Sequence, residues 1–158
     1  KYFLKILKSM GCRIHIANNT ITVKGKPLSA VKLDLENFPD IVQSVAIVAS
    51  VARGETLLTN IAHLKHKETD RLNDTATELR KFGIFVTAEK DSLRIRGGIP
   101  TGATVDTHND HRMAMAFSVL GVVSKGKTTI KNADVVSKSY PDFFVDLKNI
   151  GADVKESI

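Results

Sequence analysis

"GETLLTN", residues 54–60, returns 72 positions later as "GKTTIKN", residues 126–132, so that Gly54, Thr56 and Asn60 fall on Gly126, Thr128 and Asn132. At the same offset, and without a gap, Gly11 falls on Gly83, Gly25 on Gly97, Asp34 on Asp106 and Asn37 on Asn109. The apolar positions follow: Leu7 meets Leu79, while Ile14, Ile21 and Val23 meet Val86, Leu93 and Ile95. A third, partial copy begins near the end, where "LKNIGADV" (147–154) echoes "LRKFGIFV" (79–86) at an offset of 68. Self-similarity at a fixed period marks one supersecondary unit used repeatedly. Here the unit is used twice and started a third time.

Its contents follow from the periodicities. Pro39 to Ala52 is almost wholly apolar, and Pro suits a first helical position, so the stretch reads as a buried helix. Glu55 to Asn60 then alternates as a short strand. Leu72, Ala76, Leu79 and Phe82 recur at helical spacing until Gly83 ends the helix. "IFVTA" and "SLRIR" follow as two strands joined by the polar turn "EKD". A short strand near Val31 to Leu35 completes a βαβαββ order, and the fold class is α+β. "KYFLKILKSMG" at the start reads as an amphipathic helix. Residue 1 corresponds to Asn73, so the chain opens partway through a unit and is expected to be a piece of something larger.

Composition narrows the function. The 158 residues suffice for one domain with a sizeable core. Lys and Arg number 23 against 17 Asp and Glu, a net charge of +6 that suits either nucleic acid or small anionic substrates. Cys12 is the one cysteine, which excludes an intramolecular disulfide and any multi-cysteine metal site; its apolar surroundings predict a buried free thiol. The longest apolar stretch, Ile41 to Ala52, is too short to span a bilayer, no signal peptide is visible, and a cytoplasmic location is expected. Lys and Arg are scattered across the repeats with no Trp or aromatic cluster, which disfavours the competing reading of a basic nucleic-acid-binding module.

Charge concentrates in "HLKHKETDRL", residues 63–72, which carries three cations, two acids and two histidines. Helix N-termini favour acids, yet Arg71 falls in the first turn of one helix, and His111 with Arg112 in the first turn of another. These cations oppose the dipole. Together with free backbone N–H groups they are expected to form anion sites. Lys67 and Glu68 are adjacent and must diverge, so they cannot simply pair with each other. Asp40, after Pro39, reads as a first-turn acid, and Asp110 as a helix cap. Met113, Met115 and Phe117 read as helix packing, with Met113 and Phe117 on one face; Lys65 and His66 read as solvated.

"FPD" before a buried helix, "KHKETDRL", "NDHRMAMAFS" and "SKSYPDFF" occur in that order. On these four motifs the chain resembles the C-terminal lobe of the EPSP synthase (3-phosphoshikimate 1-carboxyvinyltransferase) family. The resemblance implies two similar lobes of βαβαββ units around a substrate cleft. It implies transfer of the enolpyruvyl group of phosphoenolpyruvate to the 5-hydroxyl of shikimate 3-phosphate, with release of phosphate and no metal or organic cofactor. By resemblance Arg71, Arg112 and Lys138 contact phosphoenolpyruvate, and Lys67 the shikimate phosphate substrate. Glu68 handles the proton at the methylene carbon, and Asp40 takes the proton of the 5-hydroxyl. His111 supports the phosphoenolpyruvate side. His63 stands where some members carry an Asn that touches the shikimate ligand. The family's N-terminal lobe supplies a Lys-Ser pair and a further Arg that nothing here matches, which implies half an active site and a silent isolated chain. A second enolpyruvyl transferase, the UDP-N-acetylglucosamine enzyme, shares the fold, but the "KETDRL" and "NDHRMAM" spellings favour the shikimate branch.

Overall fold

The structure is a computed structural model that describes residues 1–156. Its elements in order are α1 (Tyr2–Ser9), β1 (Arg13–Ala17), β2 (Thr20–Lys24), β3 (Lys32–Asp34), α2 (Val42–Ser50), β4 (Glu55–Thr59) and α3 (Arg71–Lys81). There follow β5 (Phe85–Ala88), β6 (Leu93–Arg96), β7 (Thr104–Asp106), α4 (His111–Val123), β8 (Thr129–Lys131) and α5 (Phe143–Asn149). Short 3-10 turns span Pro39–Ile41, Ala62–His66 and Ala133–Lys138.

From β3 to β6 the order is the expected βαβαββ. Its sheet runs β3-β4-β6-β5, with β3 and β4 parallel and the other pairs antiparallel. The other elements repeat parts of this unit at the same offset. α1-β1-β2 matches α3-β5-β6, and the parallel pair β7-β8 with α4 matches β3-β4 with α2. Details of the backbone repeat too. Asn60 and Asn132, just after β4 and β8, both adopt the left-handed region, with φ of 60° and 50°. Gly11, Gly83 and Gly151 end α1, α3 and α5 with φ of 109°, 78° and 105°. In each case the next amide bonds back to the carbonyl of Leu7, Leu79 or Leu147, a Schellman-type stop that a side chain at glycine would strain.

The core lies where α2 meets α3, α4 and the sheet. α2 buries nearly every residue, as its apolar run predicts. Leu35, Leu58, Leu93, Ile95, Phe82 and Phe117 are fully buried around it, and the last two stack with ring centroids 5.9 Å apart. Met113 is also fully buried and Cys12 nearly so.

Two expectations change. The Pro39–Ala52 helix is divided: Pro39–Ile41 is a 3-10 turn and only Val42–Ser50 is α-helical. At its far end the chain leaves the helix because Arg53 exchanges backbone hydrogen bonds with Leu28 and Ala30, at 2.7 and 2.9 Å. The β1-β2 hairpin leaves Ile16, Ile21 and Val23 exposed, whereas Leu93 and Ile95 in β6 are buried. The difference is a neighbour. β6 lies between β4 and β5, whereas among the described residues β2 pairs with β1 alone.

Candidate active site

The starts of α2, α3 and α4 converge, because α2 and α4 are repeat equivalents packed side by side and α3 packs against α2. Arg71 is the hub. Its side chain is 1% exposed, and it reaches acids from all three helix starts. Its Nε donates to Asp110 Oδ2 at 2.7 Å and its Nη2 to Asp110 Oδ1 at 3.3 Å, a two-pronged pair inside the protein. Nη2 also lies 2.7 Å from Glu68 Oε2, and Nη1 lies 3.8 Å from Asp40 Oδ1. Arg112 approaches Asp40 from the other side: Nη2 is 3.2 Å from Oδ2, and Nη1 donates to the Asp40 carbonyl at 3.0 Å.

The acids divide by exposure. Asp110 is fully buried, while Glu68 is 45% and Asp40 61% exposed. Burial pushes the Asp110 carboxyl upward, but the Arg71 guanidinium and the amides of Arg112 and Met113 outweigh it and hold the group below the usual carboxylate range. Asp110 is thus a permanent anionic partner for Arg71. Asp40 and Glu68 are partners that an incoming anion can displace.

This corrects the expected source of the anion site. The helix starts are not open: Asp110 accepts from the amides of Arg112 and Met113, and Asp70 accepts from that of Asn73. Guanidinium side chains supply the positive charge. The Nε–Nη2 edge of Arg71 is committed to Asp110, and its remaining N–H groups face the exposed acids. Arg112, 33% exposed, retains the more available fork.

The other candidates fall around this hub. Lys138, at the end of a 3-10 turn, donates to the Asn109 carbonyl at 3.4 Å and so sits beside the start of α4. Lys67 and Glu68 do diverge: Lys67 is exposed and, among the described residues, makes no ion pair, whereas Glu68 turns to Arg71. Asp40 lies in the 3-10 turn ahead of α2, not in the α-helix itself. His111 is not ion-paired with Asp110; its Nδ1 is buried without a partner, as is Nε2 of His63. Met115 packs against the buried cluster of Ala114, Val135 and Val136, and it also lines a cleft of about 370 Å³ between α2 and α4, together with Asp40, Gln43 and Arg112.

Sequence reasoning missed two features. Asp110 reads as a cap and nothing more, yet it is also the buried counter-charge of Arg71, 39 residues away. Gln43 is buried with neither amide atom bonded, and an apolar run with one Gln gives no sign of that.

Residues 1–147 match the family model described as EPSP synthase (3-phosphoshikimate 1-carboxyvinyltransferase). The chain is similar to the 3-phosphoshikimate 1-carboxyvinyltransferase of Methanocella arvoryzae, with 47% identity over 86% of this chain and 32% of that protein. It is similar to the enzyme of the same name from Methanopyrus kandleri, with 45% identity over 96% of this chain and 36% of that one. Among solved structures, EPSP synthase from Acinetobacter baumannii superposes with a TM-score of 0.81 and 31% identity, over 94% of this chain and 38% of that chain. The enolpyruvyl transferase NikO from Streptomyces tendae gives a TM-score of 0.82 at 24% identity, over 98% of this chain and 36% of that chain, a likeness of fold. The chain thus spans about a third of the length of the curated relatives it matches.

Proposed function

Because the chain belongs to the EPSP synthase family, we propose that it forms part of an enzyme that transfers the enolpyruvyl group of phosphoenolpyruvate to the 5-hydroxyl of shikimate 3-phosphate. One observation carries this reading: Arg71 and Arg112, from two different helices, meet on the exposed carboxylate of Asp40. Without substrate, Asp40 and Glu68 compensate the two guanidiniums. Phosphoenolpyruvate, an anion, takes their place against Arg112, Arg71 and Lys138. Its arrival frees Asp40 and Glu68 beside the bound substrate.

Addition then needs a base for the 5-hydroxyl proton and an acid for the methylene carbon. Asp40 serves as the first and Glu68 as the second, one on each side of the Arg71 hub. The hydroxyl oxygen bonds to the central carbon of phosphoenolpyruvate while the methylene gains a proton, giving a tetrahedral intermediate. Loss of a proton and of phosphate from it restores the double bond. Lys67 and His63 hold shikimate 3-phosphate, and His111 supports the phosphoenolpyruvate side. A second lobe of the same enzyme completes the site. No helix among the described residues is long and apolar enough to cross a membrane, and the enzyme is proposed to work in the cytoplasm.

Glu68→Gln tests the assignment in the full-length enzyme carrying this segment. The change keeps shape and removes the transferable proton, so turnover should fall by about 100-fold or more, within the contribution of general acid–base catalysis. Substrate affinities should stay close to wild type. Phosphate release at the wild-type rate with weakened binding would make Glu68 only an ion-pair partner of Arg71.

A further inference from the structure

A second charged network lies behind the site. Glu78 on α3 is fully buried, although the residue at the equivalent place in the other copy is Ile6. Its carboxylate accepts from Lys81 Nζ at 2.7 Å on both oxygens and from the Asp106 amide at 3.1 Å. It also faces His108 Nε2 at 3.0 Å. A carboxylate can only accept, so Nε2 carries the proton. The other ring nitrogen of His108 is 3.7 Å from Asp74, which also takes the hydroxyl of Thr69.

What this network holds is a left-handed turn. His108 and Asn109 both adopt the left-handed region, with φ of 50° and 56°, whereas the equivalent Glu36 and Asn37 do not. The two turns share one bond, since the amides of His108 and Glu36 donate to Asp106 and Asp34 at 2.8 and 3.0 Å. The contact of the ring with Glu78 belongs to the second copy alone. Asn18 and Asn19 adopt the same pair of left-handed conformations in the exposed β1-β2 turn, so what is particular here is that the first residue is a histidine whose ring bonds Glu78. The turn leads directly to the anion site: the Asn109 carbonyl takes Lys138, and the Asp110 carboxylate takes Arg71.

We propose that His108 is a positioning residue for the anion site, clamping the Thr107–Asp110 turn to α3 through Glu78 and so placing Arg71 and Lys138. The proposal rests on the function proposed above. The groups facing the ring are Asp74, Glu78 and Lys81 from α3 and Asp106 from β7, with Lys131 of β8 beside Asp106. One ring nitrogen of His108 bonds Glu78 and the other faces Asp74, so the ring bridges the turn to α3 at two points.

The test pairs His108→Leu, which removes both contacts, with His108→Gln, which offers an amide donor that does not titrate. In the full-length enzyme carrying this segment, His108→Leu should raise the phosphoenolpyruvate dissociation constant about tenfold, the loss of one hydrogen bond to a charged group. His108→Gln should raise it no more than about twofold, because its amide can still donate to Glu78. In the 158-residue chain, with no ligand, hydrogen exchange of the Arg71 Nε–H should accelerate in His108→Leu and not in His108→Gln. Equal impairment of both variants would make His108 a packing residue and overturn the proposal. So would unchanged Arg71 exchange in His108→Leu. If Arg71 responds but the wild-type enzyme does not bind phosphoenolpyruvate, the proposed function fails and the clamp stands. Should His108→Leu not fold, His108→Ala takes its place in both measurements.

Discussion

Arg71 and Arg112 look alike in sequence, each a cation at a helix start, yet the structure gives them different work. Arg71 is enclosed and neutralised by Asp110, while Arg112 is a third exposed and, among the described residues, forms its ion pair with the exposed Asp40 alone. Arg112→Lys should therefore weaken phosphoenolpyruvate binding by about 1.5–3 kcal/mol, because a point charge cannot replace the fork. That is a tenfold to hundredfold rise in its dissociation constant, measurable by titration, with shikimate 3-phosphate alone much less affected. Stability should barely move, since exposed ion pairs contribute about 0–1 kcal/mol. Asp110→Asn should act the other way round, destabilising by about 3 kcal/mol in urea at neutral pH by leaving a buried guanidinium short of charge. The wild type carries the same dependence in its acid limb. Asp110 titrates below its unfolded value of 3.8, so its stabilisation is complete above that pH. It is lost as pH falls through the lower folded value. Unfolding curves below pH 4 should be flatter in Asp110→Asn than in wild type.

Repeat-equivalent elements diverge where their neighbours differ. Gly97 closes β6 beneath the end of α2, and a Cβ there would stand 1.8 Å from the carbonyl oxygen of Ala52. Its equivalent, Gly25 after β2, has nothing within 4 Å. Gly97→Ala should cost about 3 kcal/mol through forced backbone movement, and Gly25→Ala less than about 0.5 kcal/mol. Thermal unfolding of the two variants reads this directly; equal effects would mean that the hairpins β1-β2 and β5-β6 are packed alike. Helix ends show the same rule. The Schellman stops of α1, α3 and α5 are local, so the recurring glycine announces them in the sequence. The 3-10 turn that carries Asp40 is not announced, because the mostly apolar run from Pro39 to Ala52 continues through it; at the other end of α2, backbone partners at Leu28 and Ala30 end the helix early.

At the scale of the whole molecule, one complete βαβαββ unit and parts of two more present the helix starts that build the Arg71 hub. The isolated chain should release no phosphate from phosphoenolpyruvate and shikimate 3-phosphate, and adding the complementary lobe should restore turnover; phosphate release by the chain alone would overturn the half-site reading. Sequence by itself determined the repeat, the βαβαββ order and the family, because an offset and a motif are properties of chain order that no distant contact can alter. It also marked Arg71 and Arg112 as special through residue type and place, and Asp40, Glu68 and Lys138 through the family motifs that carry them. Only the tertiary structure decided how they are used. That Arg71 is buried, that its fork is spent on Asp110, and that His108 is tied to a buried Glu78 depend on partners 39 and 30 residues away. Charge pairing inside a protein is set by which side chains packing brings within about 4 Å in a low dielectric, and a linear pattern carries no record of that distance.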